Sequence, residues 1–450
     1  MKKGAMTALL IGMWAMTQVN VIGFLGISEL VMYLIAPFIL VQKWDMFKKD
    51  GMSILYMLLF LTMISCFVSG IYNQNDKIAI IKGFATIYGL FACITVIYPI
   101  LREDPDNLKW ILVGIAISGV ICVFIFQPGS AHIGSLTDRK SLQESVMSYS
   151  LFWPQQINTW STLPIKIAYL KIPLWYAFIV PFVSAFYSLI STTSGRSAFL
   201  VGMFGLLLLF IAKKNKISMI YTNKKFVGLV ISMLIGGILF ANVYKYAAKQ
   251  GLLGEKSQIK YRQQVLAKGR GEGILAIIMG GRIEFFIGAT ACLKHPILGC
   301  GPHAEDKEGL IDYFYNKYGT HEDLEMLERR QKMDELLGIN YRTIPAHSHI
   351  ITFWLWYGMF GGLTWVYILI IILKTLKNYF VAIPQWIGYF ALIIPSATMS
   401  VMFSPFGDRV MKAVLICACI VARNVAEQRI SLSQSMVQEI QKMKDDFTYK

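Results

Sequence analysis

The amino-acid sequence predicts an all-α polytopic integral membrane protein with about 12 transmembrane helices and one large extracytoplasmic loop. Of its 450 residues, 55% are hydrophobic and only 16% are charged, whereas a typical soluble domain has about 25% charged residues. The apolar residues form runs of about 20, the length of helix that crosses a bilayer. One long polar segment, residues 247–349, separates the last three runs from the earlier ones.

Eleven apolar runs are clear candidates for transmembrane helices. They cover residues 6–25, 26–42, 53–72, 78–101, 110–127, 172–192, 197–213, 226–246, 350–373, 382–403 and 409–424. With eleven spans the basic loops cannot all lie on the cytoplasmic side, where positive charge normally collects. A weaker twelfth span between Ser145 and Ala168 removes this conflict. Because it contains Pro154 and several polar residues, we expect a broken helix that faces the protein interior.

The basic residues predict which side of the membrane each loop occupies. The net charge is +16, and the connections containing Lys48, Arg102 and the lysines of 213–225 are predicted to be cytoplasmic. Both termini are then inside, and residues 128–144, 193–196 and 247–349 are outside. Lys and Arg residues are dispersed among the spans, so the sequence favours membrane lipids as partners and argues against nucleic acid.

Four segments follow from this topology. Residues 1–246 contain transmembrane helices 1–9, 247–349 form the extracytoplasmic loop with short helices, 350–424 contain helices 10–12, and 425–450 form a cytoplasmic tail. Apolar residues at near-helical spacing in the tail predict an amphipathic helix on the membrane surface, with a partner-binding segment as the alternative. These residues are Ile430, Met436, Val437, Ile440 and Met443.

The cysteines do not indicate a disulfide framework or a metal site. Five of the seven lie in apolar runs, and the chain has no C-x-x-C pattern. Cys292 and Cys300 share the large loop, where a disulfide between them stays an open alternative.

His347 and His349 are the most prominent candidate functional residues, because they stand where the polar loop meets an apolar run. Three roles are open for them. A histidine can cap the following helix, it can bind a metal with a third ligand, or it can act as a general base near pH 7. The available third ligands are His303, Asp306 and Asp312.

Several arginines are candidates for binding an anionic group. Arg196 stands at the start of a predicted span, where anchoring of the helix end is the alternative role. Arg282 follows two glycines, with an ion pair to Glu284 as its alternative. Arg262 and Arg270 belong to a basic stretch of the loop that suits a phosphate or lipid head group.

Three motifs in order resemble those of the O-antigen ligase/polymerase family of bacterial membrane glycosyltransferases. They are Ser194-Gly195-Arg196, then Gly281-Arg282 followed by His295-Pro296-x-x-Gly299-x-Gly301, then His347-Ser348 followed by Tyr357-Gly358-Met359-Phe360-Gly361. The resemblance covers about residues 190–365. The family often has Asn after the motif histidine, where this chain has Ser348, so the choice between His347 and His349 stays open.

The resemblance implies a GT-C-like fold and a metal-independent inverting glycosyltransferase without a cofactor. Its donor would be an undecaprenyl-diphosphate-linked glycan, and its acceptor a hydroxyl of a second glycan, at the periplasmic face of the bacterial inner membrane. Arg196 and Arg282 would stabilise the diphosphate leaving group, with Arg262 and Arg270 as weaker candidates. His347 would deprotonate the acceptor, with His349 as the next candidate.

Two activities within the family differ only in the acceptor. A polymerase extends a lipid-linked chain, and a chain-length regulator protein is then a further partner, whereas a ligase transfers the chain to lipid A–core in lipopolysaccharide biosynthesis. Tyr313 and Tyr315, with neighbouring aromatic residues, could stack on sugars and favour the polymerase. A polysaccharide transporter or flippase is the alternative from another class, but the large loop with its histidines and arginines argues against it.

Overall fold

The computed structural model describes residues 3–15, 18–20, 24–124, 283–318, 343–379, 382–403 and 409–448, with scattered positions between 204 and 252. This part of the chain is nearly all helical. The helices are α1 (Lys3–Met13), α2 (Ile27–Lys49), α3 (Ser53–Tyr72), α4 (Lys77–Glu103), α5 (Asn107–Phe124), α6 (Ile283–Lys294), α7 (Leu310–Tyr318), α8 (His349–Lys374), α9 (Ile387–Phe403) and α10 (Arg409–Thr448). Two short strands, β1 (Gln18–Asn20) and β2 (Phe24–Gly26), pair antiparallel.

Among the described residues, five helices are long and apolar enough to cross a membrane, namely Ile27–Lys49, Ser53–Tyr72, Lys77–Glu103, His349–Lys374 and Pro384–Met402. One face of α2 exposes large apolar side chains, and Leu34, Phe38 and Val41 are 73%, 71% and 80% exposed. Such a stripe is stable in contact with lipid but not in water. The architecture is that of a helical, membrane-embedded protein.

The predicted first span, residues 6–25, is not one helix. α1 ends at Met13, and Val19 of β1 pairs with Leu25 of β2 in an antiparallel ladder. The stretch between residues 18 and 26 is rich in β-branched residues and glycine, which favour strands and turns over helix. A continuous apolar run was therefore an incomplete guide to the secondary structure here.

The core is formed where α8 packs against α3 and α9, and where α4 packs against α2 and α10. Hydrogen bonds between side chains, and from a side chain to a backbone carbonyl, connect these helices in the apolar interior. The Thr62 and Thr364 hydroxyls lie 2.8 Å apart between α3 and α8, and the Tyr357 hydroxyl donates to the Gly83 carbonyl of α4 at 3.0 Å. Hydrogen bonds of this kind satisfy buried polar groups and fix the relative height of the helices.

The two ends of the bundle differ in chemistry. At one end the Arg102 guanidinium and the Tyr98 hydroxyl both donate to the Asp50 carboxylate, and Arg423 donates to the Asp50 carbonyl at 2.5 Å. The basic connections that contain Lys48 and Arg102 thus meet at this end. The opposite end carries the α3–α4 turn, the start of α8, and α6 and α7.

A buried ion pair joins α2 and α10 beside Gly89, about halfway along α4. The Arg409 guanidinium donates to both carboxylate oxygens of Glu29, at 2.7 and 3.0 Å. α10 then continues as one helix of 40 residues, which joins the predicted span 409–424 to the predicted tail helix without a break. Ile430, Met436 and Ile440 of the tail are 39%, 63% and 50% exposed.

Candidate functional site

The structure describes four of the predicted site residues, namely His347, His349, Tyr313 and Tyr315. The predicted anion-binding residues Arg196, Arg262, Arg270 and Arg282 lie outside the described residues, as do the first predicted motif and the twelfth span.

Glu284 of α6 joins two of the predicted residues. The Nδ1 atom of His347 lies 3.5 Å from Oε2 of Glu284, and the Tyr315 hydroxyl donates to Oε1 at 3.4 Å. The His347 side chain is 35% exposed and that of Glu284 is 26% exposed. A half-exposed imidazole thus has one ring nitrogen facing a carboxylate. The sequence predicts Glu284 only as an ion-pair partner of Arg282, two residues away.

Gly288 allows α6 to approach the histidine segment. A Cβ atom at this position would lie 2.8 Å from Cγ2 of Ile351 and 3.2 Å from both the Pro345 carbonyl oxygen and the Ala346 Cβ. Residues four apart on a helix share a face, so the close packing at Gly288 directs Glu284 towards the same segment. Any larger residue at position 288 would push the carboxylate away from His347.

Ser348 determines where α8 begins and separates the two histidines. Its hydroxyl accepts from the Ile351 amide at 3.3 Å, as a helix N-cap does, and donates to the Val401 carbonyl of α9 at 3.1 Å. His347 precedes this cap and reaches the surface. His349 is fully buried in the first turn, with its ring 4.6 Å from that of Trp365.

The second and third sequence motifs interlock through their backbones at a kink in α8. Gly358 has φ 65° and ψ −159°, a conformation essentially restricted to glycine. The Met359 amide donates to the Ile297 carbonyl at 2.9 Å, and the Cys300 amide donates to the Leu355 carbonyl at 2.6 Å. The glycines of both motifs are therefore required because two backbones touch.

The α3–α4 turn holds the same motif from the other side. The Asn73 side chain donates to the Gly299 carbonyl at 3.2 Å, and the Asn75 side chain donates to the Pro302 carbonyl at 3.0 Å. Gly301, at φ 86°, leaves the room that Asn75 occupies. Nothing in the local sequence of these asparagines relates them to residues 299–302, so their contacts could not be predicted.

Charged residues next to the His295–Gly301 motif form ion pairs and hydrogen bonds with one another. Glu308 accepts from Lys294 and lies 2.8 Å from Nε2 of His295, and these two contacts lower the pKa of the Glu308 carboxyl. Asp306 caps α7 by accepting from the Leu310 and Ile311 amides at 2.9 and 2.7 Å. Within the described ranges, no three His, Cys, Asp or Glu side chains meet as a metal site would need.

The aromatic face of α7 is open to solvent. Tyr313 is 54% exposed, and the Lys317 ammonium lies 5.3 Å from the ring centroids of both Tyr313 and Tyr318. Tyr315 lies on the other side of the helix, towards Glu284.

Cys292 and Cys300 are both free thiols. Burial raises the pKa of Cys292 to about 12 and that of Cys300 to about 11. Neither thiol is therefore a ready nucleophile near neutral pH.

Comparison with known proteins finds no family model that matches this chain, and no curated protein matches it either.

Proposed function

We propose that the protein is a membrane glycosyltransferase that transfers a glycan from an undecaprenyl-diphosphate-linked donor to a hydroxyl of an acceptor glycan. The reaction takes place at the outer face of the bacterial inner membrane, and the product is a longer surface polysaccharide. The observation that carries this proposal is the pairing of His347 with Glu284 at the start of α8.

The pair brings together an imidazole and the carboxylate that would orient it. The 3.5 Å between Nδ1 of His347 and Oε2 of Glu284 is longer than a hydrogen bond, and catalytic hydrogen bonds of this kind commonly tighten when substrate binds. A carboxylate within bonding distance of Nδ1 would hold the imidazole in the tautomer with a proton on that atom, and Nε2 would then be left to accept a proton. The 35% exposure of His347 gives an incoming hydroxyl access to the ring. The fixed cap at Ser348 and the tight contact at Gly288 hold the ring and the carboxylate in place.

The proposed reaction is one direct displacement. The acceptor oxygen forms a bond to the anomeric carbon of the donor sugar while its proton passes to Nε2 of His347. The bond between that carbon and the diphosphate oxygen breaks, and the lipid diphosphate leaves with the electron pair. Arg196 and Arg282 are proposed to bind the negative charge that develops on the phosphate oxygens.

The tyrosines of α7 favour a polymerase over a ligase as the proposed activity. The exposed Tyr313 ring lies on the helix whose Tyr315 contacts Glu284, so a glycan chain at the site would pass an aromatic surface. Aromatic rings offer large, stiff contact area to the apolar faces of sugars.

The decisive experiment is reconstitution of the purified protein into liposomes with a defined undecaprenyl-diphosphate glycan, with and without lipid A–core. Longer lipid-linked chains in the donor-only sample support the polymerase. Product that appears only with lipid A–core identifies a ligase instead. Movement of intact donor across the bilayer without any new glycosidic bond would show a transporter and overturn the proposal.

Replacement of Glu284 by Gln should lower kcat by about tenfold to a hundredfold and leave KM nearly unchanged. The amide keeps the shape of the side chain but loses the charge that stabilises the protonated imidazole in the transition state. Rates are measured in the same liposome assay. Glu103→Gln, at an exposed carboxylate at the opposite end of the bundle, is the matched control and should retain full activity. Equal rates in both variants would remove Glu284 from the mechanism.

The proposed orientation predicts which positions are accessible from outside the cell. Lys307 lies at the end of the bundle that carries His347, whereas Gln428 lies beyond the end that carries Asp50. In spheroplasts, a membrane-impermeant maleimide should label the Lys307→Cys variant and label Gln428→Cys only after the membrane is opened. The reverse pattern would place the His347 site in the cytoplasm.

A further inference from the structure

α8 folds back on itself at Gly358. The rings of His349 and Trp365 lie 4.6 Å apart. A straight helix would separate these two positions by about 24 Å at 1.5 Å per residue, so the two halves of α8 must lie side by side. A Cβ atom at Gly361 would lie 2.2 Å from the Phe353 carbonyl oxygen, because the halves approach each other closely. The first half of α8 is therefore a re-entrant helix that starts inside the bundle and runs outwards to the kink.

The start of α8 is recessed within the end of the bundle that carries it. Asn73 ends α3 at the α3–α4 turn, and Thr62 lies midway along α3. The Thr62 hydroxyl contacts that of Thr364, the neighbour of Trp365 in α8. Asn73 and Thr62 are about 16 Å apart along the helix at 1.5 Å per residue. The His349 ring, in contact with Trp365, therefore lies well inside the level of the α3–α4 turn.

His347 lies in the same recess. The Ile344 amide donates to the Ala304 carbonyl at 2.9 Å, and an extended chain then covers about 10 Å from Ile344 to His347 at 3.3 Å per residue. α6 gives a second measure of the depth. Its end lines one small cavity with the α3–α4 turn, whereas Glu284 lies about 15 Å from Lys294 along the helix and faces His347. Both paths place the imidazole on the order of 10 Å inside the outer end of the bundle.

The exposure of His347 shows that this recess opens to water. Its depth falls within the length of α3, which is apolar and long enough to cross the membrane. At membrane depth, polar side chains and irregular backbone are stable only where protein buries them or where they line a water-filled cavity. The His347 side chain is 35% exposed, so it is not buried by protein. Ser348 and His349, which follow it, are 1% and 0% exposed and close the inner end.

We infer that the acceptor glycan enters this recess end-on, so that the reacting hydroxyl belongs to its terminal sugar. A glycan is too polar to approach through hydrocarbon, and it therefore descends along the recess from the aqueous side. The end of a chain needs room for one strand only. A hydroxyl within the chain would need both flanking segments to bend down to His347. The identity of the ligand as a glycan rests on the proposed function, and the product of end-on entry is a linear chain.

The first test measures the recess without catalysis. The full chain in lipid nanodiscs carries His347→Cys in the recess or Lys307→Cys near the α3–α4 turn. A maleimide at the end of a linear polyethylene glycol should label both variants. A maleimide on a branched dextran should label Lys307→Cys and fail to label His347→Cys.

A matched position separates exposure to water from exposure to lipid. Ile64 is two residues from Thr62 on α3 and is 46% exposed on an apolar face. Ile64→Cys should react with neither of the two hydrophilic reagents. The chain without an introduced cysteine gives the background from its own thiols.

The second test uses the liposome assay with two synthetic acceptors. One acceptor has free hydroxyls only on its terminal sugar. The other has an O-methylated terminal sugar and free hydroxyls on all internal sugars. Transfer should occur to the first acceptor and be lost with the second.

The two tests distinguish failure of this inference from failure of the proposed function. Labelling of His347→Cys by the linear reagent alone, without transfer to either acceptor, would support end-on access and overturn only the proposed function. Transfer to the acceptor with the blocked terminal sugar would overturn end-on entry and leave the proposed function intact. Equal labelling of His347→Cys by both reagents, or by neither, would show that the recess is not as inferred.

Discussion

Replacement of His347 by alanine should reduce the rate of glycan transfer by about 10²–10⁴-fold, the range that a positioned general base contributes. The reason is the loss of the proton acceptor that Glu284 faces at 3.5 Å. The protein should still fold and insert, because Ser348 and not His347 caps α8 and bonds to α9. The measurement is single-turnover transfer in liposomes, with the amount of folded protein checked by size-exclusion chromatography.

His349 provides the matched comparison, since it lies two residues further along. Its ring is fully buried against Trp365, so His349→Phe keeps the aromatic contact and should keep most of the transfer rate. Its effect should appear in the thermal unfolding midpoint. If His349→Phe lost transfer at normal stability while His347→Ala stayed active, the base would have to be assigned to His349.

The choice between the histidines shows what the sequence could predict about the site. The His-x-His pattern marks the boundary between the polar loop and an apolar run, and the structure begins α8 there, at His349. Residues i and i+2 do not face the same side of a helix, so their roles depend on where the helix starts. Ser348 has extended dihedral angles (φ −161°, ψ 136°) and ends the irregular segment between the two rings. A serine before an apolar run is a helix-start signal, and it would have indicated this boundary.

Glu284 could not have been assigned from spacing. It contacts His347 because α6 packs across the segment before α8, and that packing depends on Gly288. A glycine inside a short amphipathic segment has many explanations in a sequence. Only the tertiary contact distinguishes close helix packing from the others.

The helices that match the predictions are those with strong local signals. The predicted spans 53–72, 78–101 and 350–373 are confirmed as helices at Ser53–Tyr72, Lys77–Glu103 and His349–Lys374. Asp76 and Ser348 cap two of them with their side chains. α1 is shorter than the predicted span, because hydrophobicity alone does not reveal a hairpin within an apolar run. α10 is longer than the predicted span, because hydrophobicity alone does not show that a helix continues into a polar tail.

Replacement of Gly358 by alanine should destabilise the protein by about 3 kcal/mol or more, because two costs add. The backbone region at φ 65° and ψ −159° costs about 1–3 kcal/mol for a residue with a side chain. In addition, a Cβ atom would overlap the Ile297 carbonyl and lie 2.7 Å from the Leu298 carbonyl carbon. Relief of that overlap requires the 295–301 segment to move off α8, which breaks the bonds from Met359 and Cys300.

Gly309 separates these two costs, because it has φ 64° but no heavy atom within 4 Å of a built Cβ. Gly309→Ala should therefore cost only about 1 kcal/mol, which is the backbone term alone. The two variants are compared by thermal unfolding in detergent and by the yield of monodisperse protein. A large loss for Gly358→Ala beside a small one for Gly309→Ala means that the interlock of α8 with the 295–301 segment holds the His347 site together. Equal small losses would mean that the interlock contributes little, and that α6 and Ser348 alone position the histidine.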